Sequence, residues 1–215
     1  MKTSALSLLF LTMCLALLAV PAAAQTVYSN GPINGNTDEW DLDFGFIVSD
    51  TFNVVNAGTT ITGASFGIWF FPGDTLTSAE LSITSAENGG TSYFDQTVNF
   101  TLGACMVNNL GFNVCAENTA FNGPTLNAGT FWLNLQNAST PSGDPAFWDE
   151  NSGPSSASQN TIGSIPSESF TVLGTSSTTT STTTSTTTSV PEPSSILLLG
   201  SGVLGLAGMV RRRLL

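Results

Sequence analysis

The sequence predicts an all-β fold, an antiparallel β-sandwich of the jelly-roll type, and three observations point to it. Apolar residues alternate with polar ones in short runs, as in Ala79, Leu81 and Ile83 or Phe131, Leu133 and Leu135. Turn residues such as Pro72-Gly73-Asp74 and Asn88-Gly89-Gly90 break these runs about every ten residues, the rhythm of a sandwich. No stretch carries a convincing helical period.

The elements follow in chain order. Met1 to Ala24 has the plan of a secretory signal: Lys2 as the positive start, Leu6 to Val20 as the apolar stretch, and Ala22-Ala23-Ala24 as an Ala-x-Ala cleavage site before Gln25. The exported domain is then expected over 25–174, long enough for one hydrophobic core. Its first strand is read from Trp40 to Val48, where Trp40, Leu42, Phe44, Phe46 and Val48 face in while Glu39, Asp41 and Asp43 face out. Strands are next expected over Thr51 to Val55 and Thr59 to Phe71, and around Ala79 to Ile83. Further strands are marked by Val98, Phe100 and Leu102, by Phe112, Val114 and Ala116, by Phe131 to Leu135, and by Phe170 and Val172.

Residues 175–189 contain only Ser and Thr, with serines at 177, 181, 185 and 189 set apart by Thr triplets. Such a run has nothing apolar to bury and reads as a disordered stalk, either bare or carrying sugars on its hydroxyls. Residues 190–215 have three parts. Pro191-Glu192-Pro193 is stiff and polar; Ser194 to Val210 is apolar and uncharged; Arg211-Arg212-Arg213 closes the segment. As a helix the apolar part reaches roughly 25 Å, a single short transmembrane span. The arginines are the topology signal that keeps its end on the cytoplasmic side.

This order resembles the PEP-CTERM sorting signal of Gram-negative bacteria. The resemblance implies that an exosortase, a membrane cysteine protease, is the partner that reads Pro191, Glu192 and Pro193. It also implies delivery to the cell envelope or exopolysaccharide of a Gram-negative bacterium, with the membrane holding the chain only until processing. Thr130 to Thr171, Val48 to Phe52 and Phe71 to Leu76 are similar to a module of other PEP-CTERM proteins, which brings no known activity or site.

Charge restricts the chemistry. The chain has four basic residues, Lys2 and Arg211 to Arg213, and no His, so the exported domain has no Lys, Arg or His. Fourteen of the fifteen acids fall between Asp38 and Glu168. Such a surface repels nucleic acid and anionic headgroups. Without His there is no Ser-His-Asp triad and no imidazole metal site; without Lys or Arg there is no Schiff base and no cationic phosphate clamp. Carboxylate chemistry of the glycosidase kind is what remains, and the expectation is that the protein is not an enzyme.

Cys105 and Cys115 are the only cysteines of the exported domain. Outside the cytoplasm such a pair reads as a disulfide. A hairpin loop at Asn109-Leu110-Gly111, with Gly111 left-handed, sets the two directly across a ladder. Asp38, Glu39, Asp41 and Asp43 form the densest acid cluster, either a solvated strand face or, with Asn34 or Asn36 closing it, a calcium site. The metal content is left open, and no cofactor is expected unless calcium is one. Asp144, Trp148, Asp149, Glu150 and Asn151 sit among Pro and Gly residues and are the candidate ligand-binding set, with an exposed Trp148 to stack on a sugar ring. The competing reading makes Phe147 and Trp148 a plug at the end of the core. The functional expectation is a structural or adhesive surface protein; the alternatives are a carbohydrate-binding module and a carboxylate glycosidase.

Overall fold

The computed structural model describes residues 24–176. It contains fourteen strands and, among the described residues, no helix. In chain order they are β1 (Gln25–Ser29), β2 (Glu39–Asp41), β3 (Val48–Val54), β4 (Thr59–Phe70), β5 (Ser78–Ala86), β6 (Gly89–Asn99) and β7 (Thr101–Val107). There follow β8 (Asn113–Ala120), β9 (Thr125–Leu126), β10 (Gly129–Ser139), β11 (Phe147–Asp149), β12 (Ala157–Gln159), β13 (Gly163–Ile165) and β14 (Phe170–Ser176).

All strand pairs are antiparallel, and they make two sheets. The first is built around β4, the longest strand. One edge of β4 pairs with β14 along Thr59 to Phe66 and then with β11 at Ile68 and Trp69. The other edge pairs with β9 at Thr59 and Thr60 and with β8 from Gly63 to Phe70. Outside these lie β1, β2 and β7. The second sheet runs β13-β12-β3-β10-β5-β6.

The period-two pattern explains the packing. Phe52 and Val54, Leu81 and Ile83, and Leu133 and Leu135 from the second sheet share one core with Ile61, Phe66, Ile68, Phe70, Trp148 and Phe170 from the first. Edge-to-face aromatic contacts join Phe66 to Trp148 and Trp148 to Phe170, at centroid distances of 5.3 and 5.7 Å.

The structure corrects four details of the sequence reading. The strand expected from Trp40 to Val48 is interrupted. Asp43 N donates to Asp41 Oδ1 and Phe46 N to Asp43 O, and Phe44 and Gly45 take positive φ in the resulting turn. Phe44 is therefore 78% exposed, although its position in the alternation assigns it to the core. The strand expected through Val98, Phe100 and Leu102 is two strands. At Phe100 the chain leaves the second sheet as β6 and enters the first as β7, a corner that ties the sandwich together along one edge. Thr175 and Ser176, assigned by sequence to the stalk, extend β14 opposite Thr60 and Thr59. The fourth concerns Trp148 and is taken up with the site. The rest of the Ser/Thr run, the signal segment and the apolar C-terminal segment lie outside the described residues.

Candidate functional site

The candidate set falls on β11 and the turns on either side of it. β11 is only three residues long, but it is inserted between β4 and β2, so alternate side chains go to opposite faces of the first sheet. Trp148 points inward and is completely buried, and its Nε1 donates to the carbonyl of Ser169. The expected exposed Trp148 is thus corrected, and for Trp148 the competing reading, a ring closing the core, is the one that holds. The Pro and Gly residues around it end the strand without making its centre a loop, and the ring cannot stack on a sugar.

The neighbouring polar groups are also engaged with the protein itself. Asp149 accepts from Trp69 Nε1 at 2.6 Å and from the backbone N–H groups of Asn34 and Gly35, both at 2.9 Å. It pins the segment between β1 and β2 to the outer face of β4. Glu150 Oε2 accepts from Trp40 Nε1, and burial pushes its carboxyl up despite that bond. Asn151 donates to the carbonyls of Asn30 and Pro32 and accepts from Gly153 N and Ser167 Oγ. Gly153 lies so close to Asn30 that a Cβ there would collide with it. Asp144 is exposed, in the turn ahead of β11.

Loops 29–34 and 151–154 border a cleft of about 350 Å³. The side-chain amides of Asn30 and Asn151 beside it are committed to protein partners. Asn30 Nδ2 donates to Glu168 O at 2.6 Å, and its Oδ1 accepts from Tyr28 Oη and Ser155 N.

Behind these loops is a group of buried acids that sequence reasoning missed. Asp50 from β3 is fully buried; it accepts from the backbone N–H groups of Glu168 and Thr51, and burial pushes it up to about 6. Glu168 faces Glu150 across an isolated bridge, is fully buried, and has no hydrogen-bond partner for either carboxyl oxygen. Burial, and then the charges of Asp50, Glu150, Asp149 and Asp38, push its carboxyl well above the usual range. Glu117 on β8 is buried opposite Phe66 and pushed up to about 7, mainly by burial. Glu39 is also pushed up to about 7, by burial and then by the neighbouring Asp38 carboxyl. The trace of this in the sequence is one of phase: Asp50 alternates with Val48 and Phe52, Glu168 with Phe170 and Val172, and Glu117 falls two residues from Cys115. Among the described residues no three acids or cysteines come together so as to hold a metal ion, including the cluster from Asp38 to Asp43.

Cys105 and Cys115 are bonded and directly opposed in the ladder of β7 and β8. Gly111 takes φ +89° in the connecting turn, and Asn108 Oδ1 accepts from Leu110 N and Phe112 N, as a tight hairpin loop requires. Beside this hairpin the outer face of the first sheet carries three phenylalanine rings in mutual contact. Phe71 and Phe112 have centroids 5.0 Å apart, and Phe147 lies 6.3 and 6.2 Å from them. Phe71 is 38% exposed.

The sorting-motif residues Pro191, Glu192 and Pro193 and the arginines Arg211 to Arg213 lie outside the described residues. No curated protein matches the chain. Residues 189–213 match the family model described as the PEP-CTERM protein-sorting motif, a span that includes the Pro-Glu-Pro tripeptide and all three arginines. Residues 189–213 thus carry the PEP-CTERM protein-sorting motif, which supports an exosortase-sorted, secreted protein with an all-β domain ahead of the motif in the chain.

Proposed function

We propose that this protein is a structural or adhesive component of the cell envelope or exopolysaccharide, delivered there by an exosortase. The observation that carries the reading is the sorting motif at 189–213. The domain supports it in what it offers and lacks. It is stapled by a disulfide, its acids near β11 are spent on holding loops together, and it has no base with which to pair them. In this reading it is not an enzyme and needs no cofactor. The test is fractionation of a host with and without its exosortase: the domain should reach the outer envelope or matrix only when the enzyme is present. Retention in the inner membrane in both hosts overturns the reading.

Carbohydrate binding is the second reading, and the Phe71, Phe112 and Phe147 cluster favours it in place of Trp148. Partly exposed aromatic faces on a rigid sheet can cover the apolar side of a neutral sugar ring. A glycan array, run with and without calcium, should then lose signal on Phe71→Ala while the domain stays folded. A carboxylate glycosidase is the least supported, since it needs two acids facing a substrate cleft.

A further inference from the structure

We propose that two copies of this protein pair through β7, edge to edge and antiparallel, continuing the first sheet from one copy into the other. Four observations converge on that strand. It is an edge: β7 pairs with β8 and, among the described residues, with no other strand. Every residue from Thr101 to Val107 is exposed, so both faces of the strand and its free backbone edge are open. Its larger exposed side chains are apolar, with Val107 70% exposed and Leu102 and Met106 about half so, and Leu110 in the turn after it is 75% exposed. The strand also lacks most devices by which edges avoid pairing. It has no Pro and no charge, and its one register irregularity, between Leu102 and Cys105, leaves Cys105 to Val107 regular.

The occupant follows from charge and from symmetry. Fourteen acids and no base lie in the exported domain, so two copies repel one another over most of their surface. No charged residue lies between Asp95 and Glu117, and β7 sits in the middle of that interval. Here two copies can meet without setting carboxylates opposite one another. A basic partner would be drawn to the acidic surface instead, and a sugar would find few polar groups among Leu102, Met106 and Val107. An antiparallel pair of identical strands is self-complementary about a two-fold axis, so the contact closes as a dimer. The Cys105–Cys115 bond holds β7 to β8, which keeps the edge ordered before the partner arrives.

The experiment uses the full chain, exported in cells as two differently tagged copies. A photo-crosslinking residue replaces Val107 or, as a control, Val55, which is 77% exposed in the turn between β3 and β4. The Val107 position should give a covalent product of twice the chain mass bearing both tags, at least tenfold above the control. Val107→Lys, made with the crosslinker at Met106, should reduce that product at least tenfold, because it sets two cations into the contact. Linkage of Cys105 to Cys115 in each variant checks that it has folded. Equal crosslinking at both positions, products with other proteins only, or no effect of the lysine would overturn the proposal. The readout is the same in a host without exosortase, so a failure of sorting is not confused with a failure of pairing.

Discussion

At the scale of single residues, the domain is governed by acids buried without bases. Asp50, Glu117 and Glu168 are fully buried, and each is held above its usual pKa chiefly by burial. An acid whose folded pKa is raised contributes stability that is complete below its unfolded value, near 4. That stability is lost as pH climbs through the folded value, at up to about 1.4 kcal/mol per pH unit for each group. Asp50 spends its contribution by about pH 6 and Glu117 by about pH 7, and Glu168, raised in the same direction, adds to the loss as pH rises. The domain should thus melt highest in mild acid and progressively lower towards alkaline pH. Glu168→Gln keeps the shape and removes the ionisation, so its melting curve should be flatter and should cross above the parent at alkaline pH. Parallel curves for the two proteins would show that Glu168 ionises freely. Trp148 makes a second residue-scale prediction. With its ring packed on Phe66 and Phe170, Trp148→Ala should cost about 3–5 kcal/mol in denaturant unfolding, as for a large core aromatic. Loss of a ligand without loss of stability would instead restore it as a site residue.

At the scale of elements, the β7–β8 hairpin is the part most completely legible in the sequence. The ten-residue spacing of its cysteines, the intervening glycine and the exported setting together require a cross-ladder bond, and the ladder forms in that register. Cys105→Ser with Cys115→Ser should cost about 3 kcal/mol, because a short loop is released in the unfolded chain. Equilibrium unfolding of parent and double variant measures it, and an unchanged midpoint would mean that the hairpin holds itself. Strands β5, β10 and β14 were equally legible, since each buries its alternating apolar residues and leaves most of the positions between them half-buried. The failures share one physical cause, which is that local pattern does not say where a neighbour lies. Phe44 keeps the alternation but sits in a turn that the side chain of Asp41 closes. Trp148 lies among turn residues, but strands β4 and β2, distant in sequence, flank it and make it core. The buried acids are legible only in phase, as Asp50 between Val48 and Phe52 or Glu168 before Phe170; acids without bases are ordinarily placed in water, and only the tertiary fold withdraws these from it.

At the scale of the whole molecule, the function rests on the C-terminal signal as much as on the β-domain. Pro191 and Pro193 lack backbone donors and disfavour helix at the residue before each, so the tripeptide is not expected to join a helix begun after it. An extended peptide next to a span is a form that a protease groove can engage. The apolar segment is short and carries Gly200, Gly202, Gly205 and Gly208, each of which weakens an isolated helix by about 1 kcal/mol relative to Ala. Read as a transmembrane span, such a segment is expected to suit a transient stop better than a permanent anchor. In a host with an exosortase, the intact mass of the mature protein should therefore end near residues 190 to 195. A mature mass that still includes Arg211 to Arg213 in that host would mark a plain tail anchor and remove the basis for envelope delivery. Neutralising the three arginines tests the other half of the signal. The Pro-Glu-Pro tripeptide remains, but the charge expected to retain the end in the cytoplasm is gone, so the correctly inserted and processed fraction should fall. If processing is unchanged by that substitution, orientation is set elsewhere in the chain.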